Sequence, residues 1–308
     1  MTPLFSVIIP TYNRAQTVMR CVESVFAQTF EDYEIWVIDD GTDDTEYFLR
    51  PFKDRLHYRR GTSAGVAAAR NVGIASAQGA YIAFLDADDR WYPHKLECMA
   101  QSIRLRPDVG LFYSKVDYVD AVGKKLWVPN TRDVGDDSYL ALLEGNFIVN
   151  SSAVVKKECL QQVGGFDTVL SGCEDWDLWI RLARAYPIKL VPEVLTAYEY
   201  MSEGSFTSRL QFWLNAADEM LEKILDADPG LGKDVQRHIR SRLACTKGRI
   251  CLNARDDVQA LREFRQAVVF DLRNWRALIY LGVLLIPLVR RILPHWVKQA
   301  LRLPESYA

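Results

Sequence analysis

The sequence predicts an α/β protein with a mostly parallel central sheet flanked by helices and an α-helical appendage at the C-terminal end. Three observations predict it: apolar strand-like runs that each end in polar residues, helical-period segments between those runs, and wholly helical patterning after about residue 205. Strands buried in a parallel sheet read as continuous apolar runs, and ligands of open α/β sheets gather beyond the carboxyl ends of the strands. Chemistry is therefore expected where these runs stop.

The first run, residues 4–9, leads into Pro10-Thr11-Tyr12-Asn13-Arg14. Val18, Val22, Val25 and Phe26 then recur at helical spacing, giving a crossover helix with one apolar face. Residues 34–38 form the second run and end in Asp39-Asp40-Gly41-Thr42-Asp43-Asp44-Thr45, which completes a βαβ unit. Residues 65–75 are rich in small side chains, so this second crossover helix can pack close to a sheet. It leads into residues 81–85, which end abruptly in Asp86, Asp88 and Asp89. Three carboxylates so close together are costly unless cations or water satisfy them. Alternate residues of an extended segment point the same way, so Asp86 and Asp88 could address one hard divalent cation, directly or through water. A solvated acidic turn is the plain alternative for so short a pattern.

Residues 111–119 and 151–155 read as further strands, and part of 129–150 as a loop over the site. Trp179, Leu182, Ala183 and Tyr186 share one helical face, so a helix is expected to start near Asp175. Carboxylates at such a start are also favoured simply by the exposed amides and the helix dipole.

Five segments in order, Ser6-Val7-Ile8-Ile9-Pro10-Thr11-Tyr12-Asn13-Arg14, Ile38-Asp39-Asp40-Gly41-Thr42, Ala69-Arg70-Asn71-Val72-Gly73, Phe84-Leu85-Asp86-Ala87-Asp88-Asp89 and Glu174-Asp175-Trp176-Asp177-Leu178-Trp179, resemble the motifs of glycosyltransferase family 2. The resemblance covers residues 4 to about 200. It implies a Rossmann-like GT-A catalytic domain over residues 1–205, with 1–90 as the nucleotide-sugar half and 91–205 as the acceptor half, followed by helices over 206–308. The activity implied is inverting, metal-assisted transfer of a sugar from a nucleotide-diphosphate donor to a glycan or lipid-linked acceptor in surface polysaccharide or lipopolysaccharide biosynthesis. Uridine is the expected nucleoside, with thymidine and guanosine as alternatives.

The same resemblance implies donor contacts from Pro10, Thr11, Tyr12, Arg14, Asp39, Asp40, Arg70, Asp86, Ala87 and Asp88. Asp40 resembles the residue that reads the base edge, Tyr12 an aromatic packed against the base, and Arg70 a cation beside the diphosphate. Asp88 is the expected first ligand of a divalent cation, Mn2+ or Mg2+, and Asp86 the second, shared with the donor sugar or ribose. Asp175 is the expected general base and Glu174 the next choice. Asn150, Ser151 and Trp176 are expected near the acceptor. Burial against Trp176, with other carboxylates nearby, should raise the pKa of Asp175 toward the range in which a base works best.

Composition fits a globular enzyme, at 308 residues with 49% hydrophobic and 25% charged side chains. A net charge of -2 gives no reason to invoke nucleic acid. The six cysteines form no Cys-x-x-Cys and no signal-peptide pattern stands at the start, so reduced thiols and a cytoplasmic enzyme, at the inner face of the membrane if its acceptor is lipid-linked, are expected. The four histidines lack metal-ligand spacing. Neither G-x-G-x-x-G nor a Walker lysine motif is present, which argues against a dinucleotide enzyme or an ordinary ATPase. The alternative function is a scaffold that only binds nucleotide-sugar and recruits partners through its helices. Asp40, Asp86, Asp88 and Asp175 together disfavour it, because a binding module needs no base.

Beyond residue 205, Leu210, Trp213, Leu214, Ala217 and Leu221 form an apolar helical face. Gly248, Ala260, Phe264 and Ala267 stand at the spacings of a tetratricopeptide hairpin. Residues 277–289 are almost wholly apolar, and the basic residues Arg290, Arg291, Lys298 and Arg302 then interleave with Ile292, Leu293, Trp296, Val297 and Leu301. This end suits a membrane interface, with docking on the catalytic domain or a second subunit as the competing expectation.

Overall fold

The crossover of the chain from one side of its first strand to the other builds the site. In the computed structural model, which describes residues 2–285 except 62, 128–130, 132, 171 and 201–209, the first strand β1 (Phe5–Thr11) is followed by α1 (Ala15–Phe26) and β2 (Tyr33–Asp39). Next come α2 (Thr45–Leu49), β3 (His57–Arg60), α3 (Val66–Ser76) and β4 (Tyr81–Phe84). Strands β2 and β3 lie on one side of β1 and β4 on the other, all parallel. The order therefore reverses between β1 and β4, and the crevice beyond their carboxyl ends is where ligands of such sheets bind.

The remaining strands make the sheet mixed. They are β5 (Arg90–Trp91), β6 (Leu111–Val119), β7 (Lys125–Trp127), β8 (Ala153–Lys156) and β9 (Ile188–Glu199), and the sheet order is β3-β2-β1-β4-β8-β6-β9-β5 with β7 on β6. Strand β8 is antiparallel to both β4 and β6, so the parallel pairing expected from the sequence holds for the first four strands and for β6 with β9. The strand expected over 151–155 starts two residues late, because a 3-10 turn occupies Asn150–Ser152. Around the sheet stand α4 (Lys95–Leu105), α5 (Ser138–Glu144), α6 (Lys157–Val163) and α7 (Glu174–Ala185).

Each crossover is fixed by its sequence. Val18, Cys21, Val22 and Val25 are buried on one face of α1. Helix α3 comes close because Gly73 lies against Ile8 of β1, where a Cβ would stand 2.5 Å from Ile8 Cγ2. Any larger residue there would push the helix off the sheet.

The chain divides into two compact units, Met1–Leu142 with Asn146–Ser208, and Leu143–Gly145 with Arg209–Ala308. The second holds α8 (Leu210–Ala227), α9 (Lys233–Asn253), α10 (Asp257–Phe270) and α11 (Trp275–Leu285). Its hairpin closes because Gly248 of α9 leaves room for the Phe264 ring of α10, which would meet a Cβ at 2.7 Å. Phe264 in turn stacks on Tyr280 of α11 at 4.6 Å. No helix among the described residues is long and apolar enough to cross a membrane. The expected basic, interfacial segment over 286–308 lies outside the described residues.

Candidate functional site

The carboxyl ends of β1, β2 and β4 carry the expected polar residues to one crevice. Asp40 follows β2, donates its backbone N–H to the Thr11 carbonyl at 2.9 Å, and is buried. Its Oδ1 accepts from Ser63 N at 3.1 Å, and Gly61 makes that possible, since a Cβ there would stand 1.7 Å from the oxygen. Asn13, in the left-handed region at φ 52°, ties the loop after β1 to the loop after β2 by accepting from Thr42 N at 2.7 Å. Tyr12 beside it is 65% exposed, a free aromatic face. Pro10 is buried within β1.

Asp39 differs from its neighbour. Its Oδ1 accepts from Gly41 N at 2.8 Å, and its Oδ2 accepts from the Tyr58 hydroxyl at 2.6 Å and Arg60 Nη1 at 2.8 Å. With both oxygens engaged, Asp39 holds β2 to β3 and shapes the turn.

The turn after β4 is held from below. Asp86 N donates to Ser151 Oγ at 3.0 Å, Ser151 Oγ donates to Asp89 Oδ2, and Asp89 Oδ1 accepts from Glu199 N at 2.8 Å. Burial, then the charges of Asp88 and Asp86, push the Asp89 carboxyl well above its ordinary range. Ala87 is buried between the two outward-facing acids, and Asp88 lies 3.8 Å from Arg14. Arg14 is therefore brought to the acidic turn.

Arg70 joins this turn to helix α7. It is 4% exposed, and its Nη2 donates to Asp86 Oδ1 at 2.8 Å while Nη1 donates to Glu174 Oε1 at 2.9 Å. Burial pulls its pKa down, but the carboxylates of Asp86 and Glu174 outweigh that, so the net shift is upward and the charge is secure. Phe166 lies beneath the guanidinium at 5.2 Å, on a loop clamped by the next residue of α3. Asn71 donates to the Phe166 carbonyl at 2.8 Å and accepts from its N–H at 2.9 Å. The neighbouring Gly165, at φ 68°, passes so near Asn71 that a Cβ would stand 2.8 Å from its oxygen.

Asp175, in the first turn of α7, is the acid of this group whose environment suits proton transfer. Burial first, then the negative charge of Glu174, push its pKa up to about 7 against the opposing pull of Arg70. Glu174 is bound to Arg70 and also accepts from Gly172 N at 2.8 Å. Asp175 receives the Asn146 side-chain amide at 3.4 Å and the Trp176 N–H at 2.6 Å.

The expected acceptor residues are placed unevenly. Ser151 is fully buried with its hydroxyl committed to the acidic turn, and Trp176 is 3% exposed with its indole N–H on the Leu142 carbonyl at 2.7 Å. Side chains enclosed in this way brace the site from within. Asn150 donates to Asp86 Oδ1 at 3.0 Å, and its Oδ1 has no partner.

Sequence reasoning assigned no role to Asn71, Asp89, Asn146 or Lys95. Lys95 is fully buried under the turn, donating to the Ser152 carbonyl at 2.7 Å and toward Ser114 Oγ at 3.3 Å, and burial pulls its pKa down to about 7. A lone lysine at a helix start reads as solvated, so no signal marked it. Asp89, as the third acid of its run, could have been found.

The donor set suits a ligand that completes it. Thr11 Oγ1, Asp40 Oδ2, Arg70 Nε and Asn150 Oδ1 are buried polar atoms without a partner, all near the ends of β1, β2 and β4. No cluster of three His, Cys, Asp or Glu side chains among the described residues could hold a metal by itself. Two aspartates such as Asp86 and Asp88 match a hard cation that takes one or two carboxylates and fills its shell with substrate phosphate and water. The residues present fit a divalent cation on those terms.

Comparison with known proteins agrees with this architecture. The model of the family described as glycosyl transferase family 2 matches residues 6–156. An uncharacterized glycosyltransferase of Nostoc sp. is 30% identical over 244 residues, covering 72% of this chain and 74% of that protein. One of Rickettsia felis is 29% identical over 214 residues, covering 65% of this chain and 35% of that protein, so this chain spans about a third of that relative's length. Among solved structures, residues 1–349 of Staphylococcus aureus TarS in complex with UDP-GlcNAc match with a TM-score of 0.64 at 18% identity, over 86% of this chain and 81% of that one. The mannosyltransferase PcManGT from Pyrobaculum calidifontis in complex with GDP-Man and Mn2+ matches with a TM-score of 0.59 at 19% identity, over 100% and 85%. At these identities the structural likeness establishes the GT-A fold.

Proposed function

The chain belongs to glycosyltransferase family 2, and we propose that it transfers a sugar, with inversion, from a nucleotide-diphosphate donor to a hydroxyl of a glycan or lipid-linked acceptor used in building surface polysaccharide or lipopolysaccharide. A UDP-sugar is the first choice of donor. The observation that carries this reading is the Arg70 bridge, which ties the acidic turn at Asp86 to the helix start that bears Asp175.

Each residue then has a task. Asp40, with one carboxylate oxygen unpartnered, accepts from the base edge, and the exposed Tyr12 ring covers the base. Asp88 and Asp86 would hold Mn2+ or Mg2+, which when bound would offset the charge that develops on the departing diphosphate. Arg14, beside Asp88, adds positive charge at the same place. Arg70 keeps Asp86 oriented and keeps Glu174 occupied, which leaves Asp175 to take the proton of the attacking hydroxyl. That hydroxyl oxygen bonds to the anomeric carbon on the face opposite the leaving diphosphate, and its proton passes to Asp175. Asn150, at the edge of the turn, is retained as an acceptor-side contact.

A scaffold that only bound nucleotide-sugar would have no use for a carboxylate with a pKa pushed up to about 7 at the helix start. The reading is tested by thermal shift with manganese across UDP-, dTDP- and GDP-sugars, followed by calorimetry on Asp88→Ala. One donor class should stabilise the protein in a manganese-dependent way, and Asp88→Ala should lose the manganese-stimulated part of nucleotide binding. Stabilisation by none of the donors, or unchanged binding in the variant, would overturn it.

A further inference from the structure

Helix α11 is apolar on two faces, and the helical unit covers one of them. Ala277, Tyr280 and Val283 are buried against α10, with Tyr280 stacked on Phe264. On the other side Trp275 is 60% exposed, Leu278 47%, Ile279 38% and Leu285 61%. These positions, with Gly282 between them, follow helical spacing and make one continuous stripe. Leu272, 75% exposed one turn before the helix, extends it. Apolar residues scattered singly over a surface need no explanation, but a contiguous stripe marks a contact.

The charge around the stripe points to what covers it. Arg276 is the one charged residue of α11, and its guanidinium lies 5.4 Å from the Trp275 ring. After the helix the sequence adds Arg290, Arg291, Lys298 and Arg302 and a single acid, Glu305, in a chain whose net charge is -2. Positive charge is thus gathered at the end of the chain that bears the stripe. Two copies meeting stripe to stripe would bring their Arg276 guanidinium groups together, whereas an anionic surface would attract them. A tryptophan beside cations on an apolar face suits the boundary between headgroups and acyl chains.

We infer that the Trp275–Leu278–Ile279–Leu285 stripe of α11 is a docking surface for a membrane leaflet rich in anionic lipid. It is independent of the transferase reading, because the stripe lies in the helical unit and its test reads no sugar transfer. Docking there would keep the enzyme beside a lipid-linked hydroxyl, raising the local concentration of such an acceptor.

The test is flotation of the full chain with vesicles of phosphatidylcholine alone or with about a third phosphatidylglycerol, at low and high salt. The chain should float with the anionic vesicles, less so at high salt, and not with the neutral ones. Leu278→Glu together with Ile279→Glu should reduce vesicle partitioning roughly tenfold or more, while thermal unfolding and donor binding stay unchanged because both side chains are exposed. The proposal is overturned if the wild-type chain does not float, if the double variant floats as well as wild type, or if the substitutions instead abolish a concentration-dependent dimer. Loss of donor binding in the wild-type chain would speak against the transferase reading alone.

Discussion

Two buried cations in this chain are each shared between two carboxylates, and they have different consequences. Arg70 in the catalytic unit binds Asp86 at 2.8 Å and Glu174 at 2.9 Å. Lys247 in the helical unit binds Asp218 at 2.5 Å and Glu263 at 3.2 Å. The planar fork of Arg70 addresses acids from two separate elements at once, the strand-end turn and the start of α7, and both acids belong to the crevice. Lys247 instead joins α9 to its neighbours, reaching Asp218 of α8 and Glu263 of α10. A buried ion pair by itself is weak evidence for either stability or function. What gives the Arg70 bridge functional meaning is what it orients: an acidic turn on one side and, next to Glu174, a carboxylate suited to act as base.

The largest effect should come from the group whose position the bridge sets. Asp175→Asn is expected to lower kcat roughly 10²- to 10⁴-fold while donor affinity by calorimetry stays near wild type. Turnover within a few-fold of wild type would remove Asp175 from the role. The two cations themselves come next. Arg70→Met should cost about 3–5 kcal/mol of stability, by leaving two carboxylates uncompensated, and should also lower kcat by roughly a hundredfold through misplacement of the turn. Lys247→Met should cost about 2–4 kcal/mol in thermal unfolding with kcat of the folded protein unchanged. Equal loss of turnover in both variants would erase the distinction. The smallest effect is at the base. Asp40→Asn should raise the donor KM about tenfold with kcat nearly constant, since it removes binding made equally in ground and transition states; a change confined to kcat would contradict its assignment.

Much of the crevice was legible because it is written in short runs. Residues 4–9, 34–38 and 81–85 announce the three strands whose ends carry Thr11, Asp40 and Asp86, and the small residues of α3 announce its close packing. Other elements left no such trace. Strand β3 reads His57-Tyr58-Arg59-Arg60, an exposed edge with no apolar run. Strand β9 is interrupted by Pro192 and Glu193, where the pairing with β6 slips between Ser114 and Val116. A bulge of this kind is one of the few places a sheet accepts proline, and it breaks the alternation that sequence reading depends on. Side-chain partnerships were harder still. Arg70 was expected beside the diphosphate from its motif; its donor to Asp86 reaches 16 residues along the chain, but its donor to Glu174 reaches 104, and local pattern does not encode that second contact. Ser151 and Trp176 carry hydrogen-bonding groups that suit an acceptor as well as they suit the core, and only burial separates the two.

The raised pKa of Asp175 has a cost in stability whose sign is fixed. The folded protein holds that proton to higher pH than the unfolded chain does, so its contribution to stability is present at low pH and is lost as pH rises from the ordinary carboxylate range through about 7. Activity should run the other way, because the base must be ionised to accept a proton. The dependence of kcat on pH under saturating donor and cation tests this most directly. A limb rising about tenfold per pH unit and levelling near 7 is expected for the full chain, with that limb absent from the residual activity of Asp175→Asn. A flat profile across that range, or the same limb in both proteins, would contradict the assignment of Asp175 as the base in a cleft shared with Asp86 and Asp88.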